Sequence, residues 1–349
     1  MHKWRIGIAG AGGIAAAHLD AIREEPRAEA VAIADAWRPA AEEKAGVYGI
    51  ARVYDDYQTM LHDQEVDVVI ICLPNHLHAP VSLEALSAGK HVLCEKPMAM
   101  NSQEAAEMKA RAEQAGRVLM VAQNNRFRGD AQLLKQLVDN SKLGRIYHAK
   151  TGWVRRSGIP GWGSWFTTKE HAGGGALIDI GVHMLDLTMW LMGSPRPVSV
   201  FGQTYAEFGP RHKGLSAWGR KNEQGCFDVE DFATALIRFE DGSTLSLDAR
   251  WAAYQEKEQA YVHLFGSEAG ATFDFFEDRL TLYHDEDGLA ADTSIATPQH
   301  NERVLLLAHF LDVLEKKTAS ICPPEQSVAV THILEAIYES ARTGESVRL

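Results

Sequence analysis

The sequence predicts an α/β plus α+β chain in two parts. A doubly wound parallel sheet is followed by a mostly antiparallel, open-faced β-sheet with inserted helices. Three observations predict this. Early in the chain, apolar strand-like runs alternate with helical patterns, as βαβ units do. From Asp231 onward the pattern becomes strict alternation, with Leu245, Leu247, Ala249 and Trp251 on one face and Thr244, Ser246, Asp248 and Arg250 on the other. Finally, 349 residues exceed what one core holds, roughly 250 to 300. The expected division is 1–123 and 124–349.

Composition narrows the class. Hydrophobic residues make up 46% and charged residues 23%, the balance of an ordinary globular protein. With 35 Lys and Arg against 47 Asp and Glu, the formal charge of -12 argues against nucleic acid or an anionic membrane surface as partner. No apolar run approaches the roughly 18 residues of a membrane span, and the first residues enter a strand pattern without a secretory leader. Cys72, Cys94, Cys226 and Cys322 show no short-range spacing, so neither a zinc knuckle nor a disulfide framework is expected. A reducing cytoplasm fits them best.

The first part begins with an apolar strand, Trp4 to Ala9, that ends in Gly10-Ala11-Gly12-Gly13-Ile14-Ala15; a helical pattern runs on from Ala16 to Glu25. This is G-x-G-x-x-A between a strand and a helix. Gly10 and Gly12 permit a tight turn and close approach of a pyrophosphate, whose charge meets the positive helix end, and Ala15 lets the helix pack closely on the strand. The next strand, Ala30 to Ala34, closes with Asp35. A carboxylate there accepts hydrogen bonds from ribose hydroxyls and repels a 2′-phosphate, so the Rossmann-type pattern implies NAD in preference to NADP. Arg38 weakens that preference without reversing it. Gly13 and Ile14 complete the cradle.

The alternation continues through a strand at Arg52 to Tyr54, a helix over Tyr57 to His62 and the evenly apolar strand Val66 to Leu73. Leu73-Pro74-Asn75 then stands at a carboxyl strand end, where ligands sit in such sheets. His76 and His78 in the same turn lack the further ligands of a zinc site, so no metal is expected and His78 is assigned to the cofactor loop. A helix from Ala79 to Ala88, stopped by Gly89, leads to the strand His91 to Cys94, which delivers Glu95-Lys96-Pro97 to the same edge. Ser102 to Ala115 is a helix with Ser102 as N-cap and Gly116 as its stop, and Val118 to Ala122 is the last strand of this part.

In the second part a helix over Asp130 to Asn140 and a strand over Gly144 to Val154 precede a loop dense in glycine and aromatic residues. Arg156 and Trp162 are assigned there to the substrate side of a lid and Trp165 to the cofactor side, although tryptophan is more often core. Next comes Gly173 to Asp186, a glycine run leading into an apolar helix interrupted by Asp179, His183 and Asp186. Offsets of four and three residues place these on one helix face. Burying such a stripe costs roughly 2 to 7 kcal/mol per unpartnered polar group. Either a satisfied structural network or an acid–base centre accounts for it. Beyond it come a strand at Val198 to Tyr205, a long loop at Gly209 to Gly225, further strands at Gln259 to Gly266, Thr272 to Phe276 and Leu280 to Tyr283, and helices at Glu302 to Lys316 and Gln326 to Thr343.

Gly10 to Ala15, Asp35, Pro74-Asn75, Glu95-Lys96-Pro97 and Asp179-x-x-x-His183, in this order, resemble the Gfo/Idh/MocA family of NAD(P)-dependent oxidoreductases across essentially the whole chain. The resemblance implies that Lys96, Asp179 and His183 are catalytic and contact substrate, that Glu95 and Lys96 adjoin the cofactor, and that Asn124, Asn125 and Arg126 line the substrate pocket; Asp186, on the same helix face as His183, is assigned to the substrate as well. The resemblance also implies a homodimer or homotetramer formed through the open sheet face. The expected function is NAD-dependent oxidation of a secondary hydroxyl on a cyclic polyol, sugar or sugar derivative, with His183 as base. Redox-neutral glycoside or ether cleavage with tightly held NAD is the alternative, and a non-catalytic NAD-binding regulator is the third reading.

Overall fold

The computed structural model describes residues 3–277 and 279–349. In chain order the elements are β1 (Trp4–Ala9), α1 (Gly13–Glu24), β2 (Ala28–Ala34), α2 (Arg38–Tyr48), β3 (Arg52–Tyr54), α3 (Tyr57–Leu61), β4 (Val68–Ile71), α4 (His78–Ser87), β5 (His91–Cys94), α5 (Ser102–Ala115) and β6 (Leu119–Val121). They continue as α6 (Gly129–Asp139), β7 (Ile146–Val154), α7 (Lys169–Ala172), α8 (Val182–Leu191), β8 (Pro197–Tyr205), β9 (Phe232–Phe239), β10 (Thr244–Arg250), β11 (Gln259–Gly266), β12 (Gly270–Asp274), β13 (Arg279–Glu286), β14 (Leu289–Ala296), α9 (Glu302–Leu314), α10 (Pro324–Thr343) and β15 (Val347–Arg348). Two compact units result, 1–124 with 301–331 and 125–300 with 332–349. Among the described residues no helix is long and apolar enough to cross a membrane.

The first unit is built on a sheet of order β3-β2-β1-β4-β5-β6 whose pairs are all parallel. Its order reverses between β1 and β4, the switch point at which such sheets bind dinucleotides. Ile6, Ile8, Val68, Val69, Ile70, Ile71, Val92 and Leu93 are fully buried, because helices cover both faces and leave no polar alternation. The α5 cap is Asn101, whose side chain accepts the Glu104 N–H, one residue before the expected Ser102. The sequence pattern does not announce α2, since its buried side is only Ala41 and Ala45. The linear reading assigns everything after residue 123 to the second domain, but 301–331 groups with the first unit. Packing explains this: α9 lies on α1, and Arg27 reaches Asp312 at 2.6 Å and Glu315 at 3.2 Å.

The second unit carries a sheet of order β14-β13-β12-β11-β7-β10-β9-β8-β15, in which β7 and β10 run parallel and the other pairs antiparallel. One face is core: Ala235, Leu247, Thr151 and Val262 pair across four strands and are all buried. The other is open, and Phe201 and Leu236 pair on it at 54% and 48% exposure. The edge strand β14 goes unannounced in sequence because it buries almost none of its side chains and so lacks apolar alternation.

Beneath α8 lies a buried ion pair. Arg126 Nε and Nη2 donate to Asp186 at 2.8 and 2.6 Å, and both residues are almost fully buried. This bidentate pairing answers both charges away from water. Removing one partner strands the other, so Asp186→Ala is expected to lower unfolding free energy in urea by about 3–5 kcal/mol. A change below about 1 kcal/mol would show the pair to be dispensable.

Candidate active site

The carboxyl edge of the parallel sheet starts from close backbone packing. Gly10 has φ 98°, and a Cβ there would lie 2.4 Å from the Cys72 carbonyl oxygen, so no side chain fits between β1 and β4. Gly12 and Gly13 are the opposite case: both are exposed, and a Cβ at either meets nothing within 4 Å. Side chains at those positions would fill a cradle that opens at the start of α1, beside the partly exposed Ile14. A pyrophosphate fits such a cradle. Asp35 closes the edge, its carboxylate accepting the Ala11 N–H at 2.7 Å and the Trp37 N–H at 2.8 Å. Arg38, read in sequence as a weak pull toward NADP, is met by Glu42 at 2.7 Å and Asp55 at 3.0 Å. Those carboxylates add to the repulsion a 2′-phosphate would meet.

Two residues of the cofactor loops turn inward. His78 is 1% exposed, with its ring nitrogens 2.6 Å from the Pro97 carbonyl oxygen and 2.8 Å from that of Leu73. Burial pushes its imidazole below the ordinary pKa. It braces the turn at Leu73 and Pro74 against the loop at Pro97, and Asn75 beside it is also buried. Glu95 is buried too, with Oε1 2.8 Å from His18 Nε2 and 2.8 Å from Arg303 Nη1. Burial alone would raise its pKa, but Arg303 and His18 outweigh that and hold the carboxyl well below its usual range. The Glu95 side chain therefore supports the edge from behind. From Val92 to Ala99 every residue is buried except Lys96. Asn124, assigned in sequence to the substrate, is nearly buried.

In the second unit a turn of π-helix, Leu177–Gly181, runs directly into α8. From Gly174 to Leu191 every residue is buried except Asp179 and His183. Asp179 Oδ2 accepts the Trp251 indole N–H at 2.9 Å, and the Trp153 ring lies 5.9 Å from the His183 ring, centroid to centroid. The polar stripe thus divides. Asp179 and His183 reach the surface, whereas Asp186, assigned in sequence to the substrate, is buried and committed to Arg126. Trp162 is likewise core, not lid: it is 8% exposed, donates to the Gly209 carbonyl at 2.8 Å and stacks on His212. Trp165 is half-buried on Phe166, and Arg156 is exposed. His18, Arg303 and Trp251 escape a reading of the sequence. They meet their partners across 77, 208 and 72 positions, and no local pattern marks such pairings.

Residues 4–123 match the family profile described as oxidoreductase family, NAD-binding Rossmann fold, and residues 131–272 match the GFO/IDH/MocA C-terminal domain. D-glucoside 3-dehydrogenase of Escherichia coli (strain K12) is 36% identical over 348 residues, spanning 99% of this chain and 97% of that protein. Levoglucosan dehydrogenase of Pseudarthrobacter phenanthrenivorans is 30% identical over 292 residues, 79% of this chain and 74% of that one. A structure of levoglucosan dehydrogenase in complex with NADH and L-sorbose superposes with a TM-score of 0.89 at 25% identity, covering 100% of this chain and 99% of that one.

The Glu95 cluster carries a pH signature. A carboxyl held below its unfolded value contributes stability that is present above roughly pH 4.5 and is lost as pH falls toward the folded value. Urea unfolding across pH 7 to 3 is expected to show wild type losing stability toward Glu95→Gln on the acid side. A wild-type minus Glu95→Gln difference that stays constant with pH would remove Glu95 from this role.

Proposed function

Since the chain belongs to the Gfo/Idh/MocA family of NAD-dependent oxidoreductases, we propose that it oxidises a secondary hydroxyl of a sugar ring, with a D-glucopyranoside as substrate and ring carbon 3 as the reacting carbon. The observation that carries this reading is the accessibility of Lys96, Asp179 and His183 within segments that are otherwise buried. The relatives' dehydrogenase activities on a glucoside and on levoglucosan support the substrate class. NAD, held by Gly10, Gly12, Gly13, Ile14 and Asp35, supplies the hydride acceptor when bound.

The chain's own groups manage the proton and the charge. His183 accepts the hydroxyl proton as general base, a task suited to an imidazole near neutral pH. Lys96 supplies a hydrogen-bond donor and positive charge suited to stabilising the negative charge that develops on the hydroxyl oxygen. Asp179 is held by Trp251 and orients His183 or a neighbouring ring hydroxyl. The products are a keto sugar, NADH and one proton.

The open sheet face supports self-association. Phe201, Tyr205, Leu236, Phe265 and Tyr283 are each more than a third exposed there, an apolar surface that a second copy of the chain would cover. The four thiols, three of them buried, support a cytoplasmic setting. Phe201→Asp is expected to shift the mass measured by light scattering from an oligomer toward a monomer; a wild-type protein that runs as a monomer would refute the association.

With methyl glucoside and levoglucosan as substrates, Lys96→Ala and His183→Ala are each expected to lower kcat by about 10²–10⁴, while NADH affinity from fluorescence titration stays nearly unchanged. Wild-type turnover in either variant would overturn the assignment. Activity without NADH accumulation would point instead to redox-neutral ring chemistry.

A further inference from the structure

The glycine run before the π turn has a specific cause. A Cβ at Gly175 would lie 1.8 Å from the Glu230 carbonyl oxygen, and one at Gly174 would lie 1.9 Å from the Tyr338 hydroxyl. Only bare backbone approaches that closely. The approach brings a buried carboxylate onto the start of the helix: Glu230 Oε2 accepts the Gly175 N–H at 2.9 Å, and Oε1 accepts the Leu177 N–H at 2.9 Å. The Glu230 carbonyl accepts the Ala176 N–H at 3.1 Å, and the Tyr338 hydroxyl donates to Oε1 at 3.0 Å. Three successive N–H groups, which a helix start leaves without intrahelical partners, are therefore satisfied by one residue from the lead into β9. Negative charge also suits that helix end.

The position of this carboxylate matters because the adjoining turn bears the accessible pair. The π turn inserts one residue into the helical register between Leu177 and Gly181, as π turns at functional sites do. Asp179 lies inside it and His183 just after it, and they are the two accessible residues of the stretch. A shift of the helix start would rotate both. Asp179 is also fixed from its other side by Trp251, so a shift would break that contact.

We propose that Glu230, supported by Tyr338, is a positioning residue for the oxidation: it sets where the π turn begins and hence the orientation of Asp179 and His183. This rests on the catalytic roles assigned above to those two residues. Glu230 touches neither substrate nor cofactor in this scheme, and its effect passes through the backbone of residues 175–177.

The test compares Glu230→Gln, Tyr338→Phe and His183→Ala as full-length proteins with methyl glucoside and NAD, below the melting temperature of each. Glu230→Gln places an amide N–H against a backbone N–H, and kcat is expected to fall roughly tenfold or more, as small misplacements of reacting groups do. KM for NAD should stay within about twofold, and the acid limb of the kcat pH profile should move. Tyr338→Phe keeps the carboxylate and both amide contacts, and a drop of roughly two- to fivefold with a smaller shift of the profile is expected. If both variants melt lower yet keep wild-type kcat and pH profile, the residues are structural only and the proposal is wrong. Should Glu230→Gln not fold, Tyr338→Phe decides by the same criteria. Wild-type turnover in His183→Ala would instead sink the underlying reading of the site, whatever the other two variants do.

Discussion

Removing a carboxylate from water costs several kcal/mol unless its charge is answered, and the architecture around the accessible groups depends on meeting that condition three times. Glu95 is answered by a guanidinium and an imidazole, Asp186 by a bidentate guanidinium, and Glu230 in part by two backbone N–H groups and a phenol, burial still holding its carboxyl above the usual range. Each is a fixed point from which something else is displayed. Glu95 lies directly before Lys96. Glu230 meets the start of the helix that carries Asp179 and His183, and Asp186 anchors that helix one turn further on.

Adjacency in sequence hides this division of labour. Glu95 and Lys96 are neighbours, yet one is buried and the other accessible, as the alternation of side chains at a strand end dictates. A motif read along the chain treats both as cofactor residues. Helical spacing groups Asp179, His183 and Asp186 in the same way. The π turn, together with an arginine 60 positions upstream of Asp186, separates them. Spacing identifies which residues share a neighbourhood, and burial decides which of them meets solvent.

Apart from α2, the order of strands and helices in the first unit is legible in the sequence because each rests on local signals: an apolar run, a glycine stop, an acid at a strand end. The strand pair β9 and β10 is legible because one sheet face is core and the other open, which writes a period of two into Leu245, Leu247 and Ala249. Elements that bury little leave no such trace, which is why α2 and β14 escape. Partners escape for a different reason. Nothing near His18, Trp251 or Tyr338 distinguishes a buried residue that fills space from one that completes a polar network, and that difference exists only once distant segments meet.

The link from Arg303 to Glu95 spans 208 positions, and the salt bridge from Arg27 to Asp312 closes a loop of 285. The nucleotide-type sheet is therefore not finished when its last strand is made. During synthesis, Glu95 has His18 and Arg27 has Glu25, but their remaining partners arrive only after the whole intervening unit has been added, so the contact order of the first unit is set by a segment encoded long after it. Cutting the chain after residue 124 would free a fragment with the right strands in which Glu95 lacks Arg303 and Arg27 lacks Asp312 and Glu315. Any separate expression of this unit has to carry 301–331 as well, supplied on the same chain or added back as a peptide.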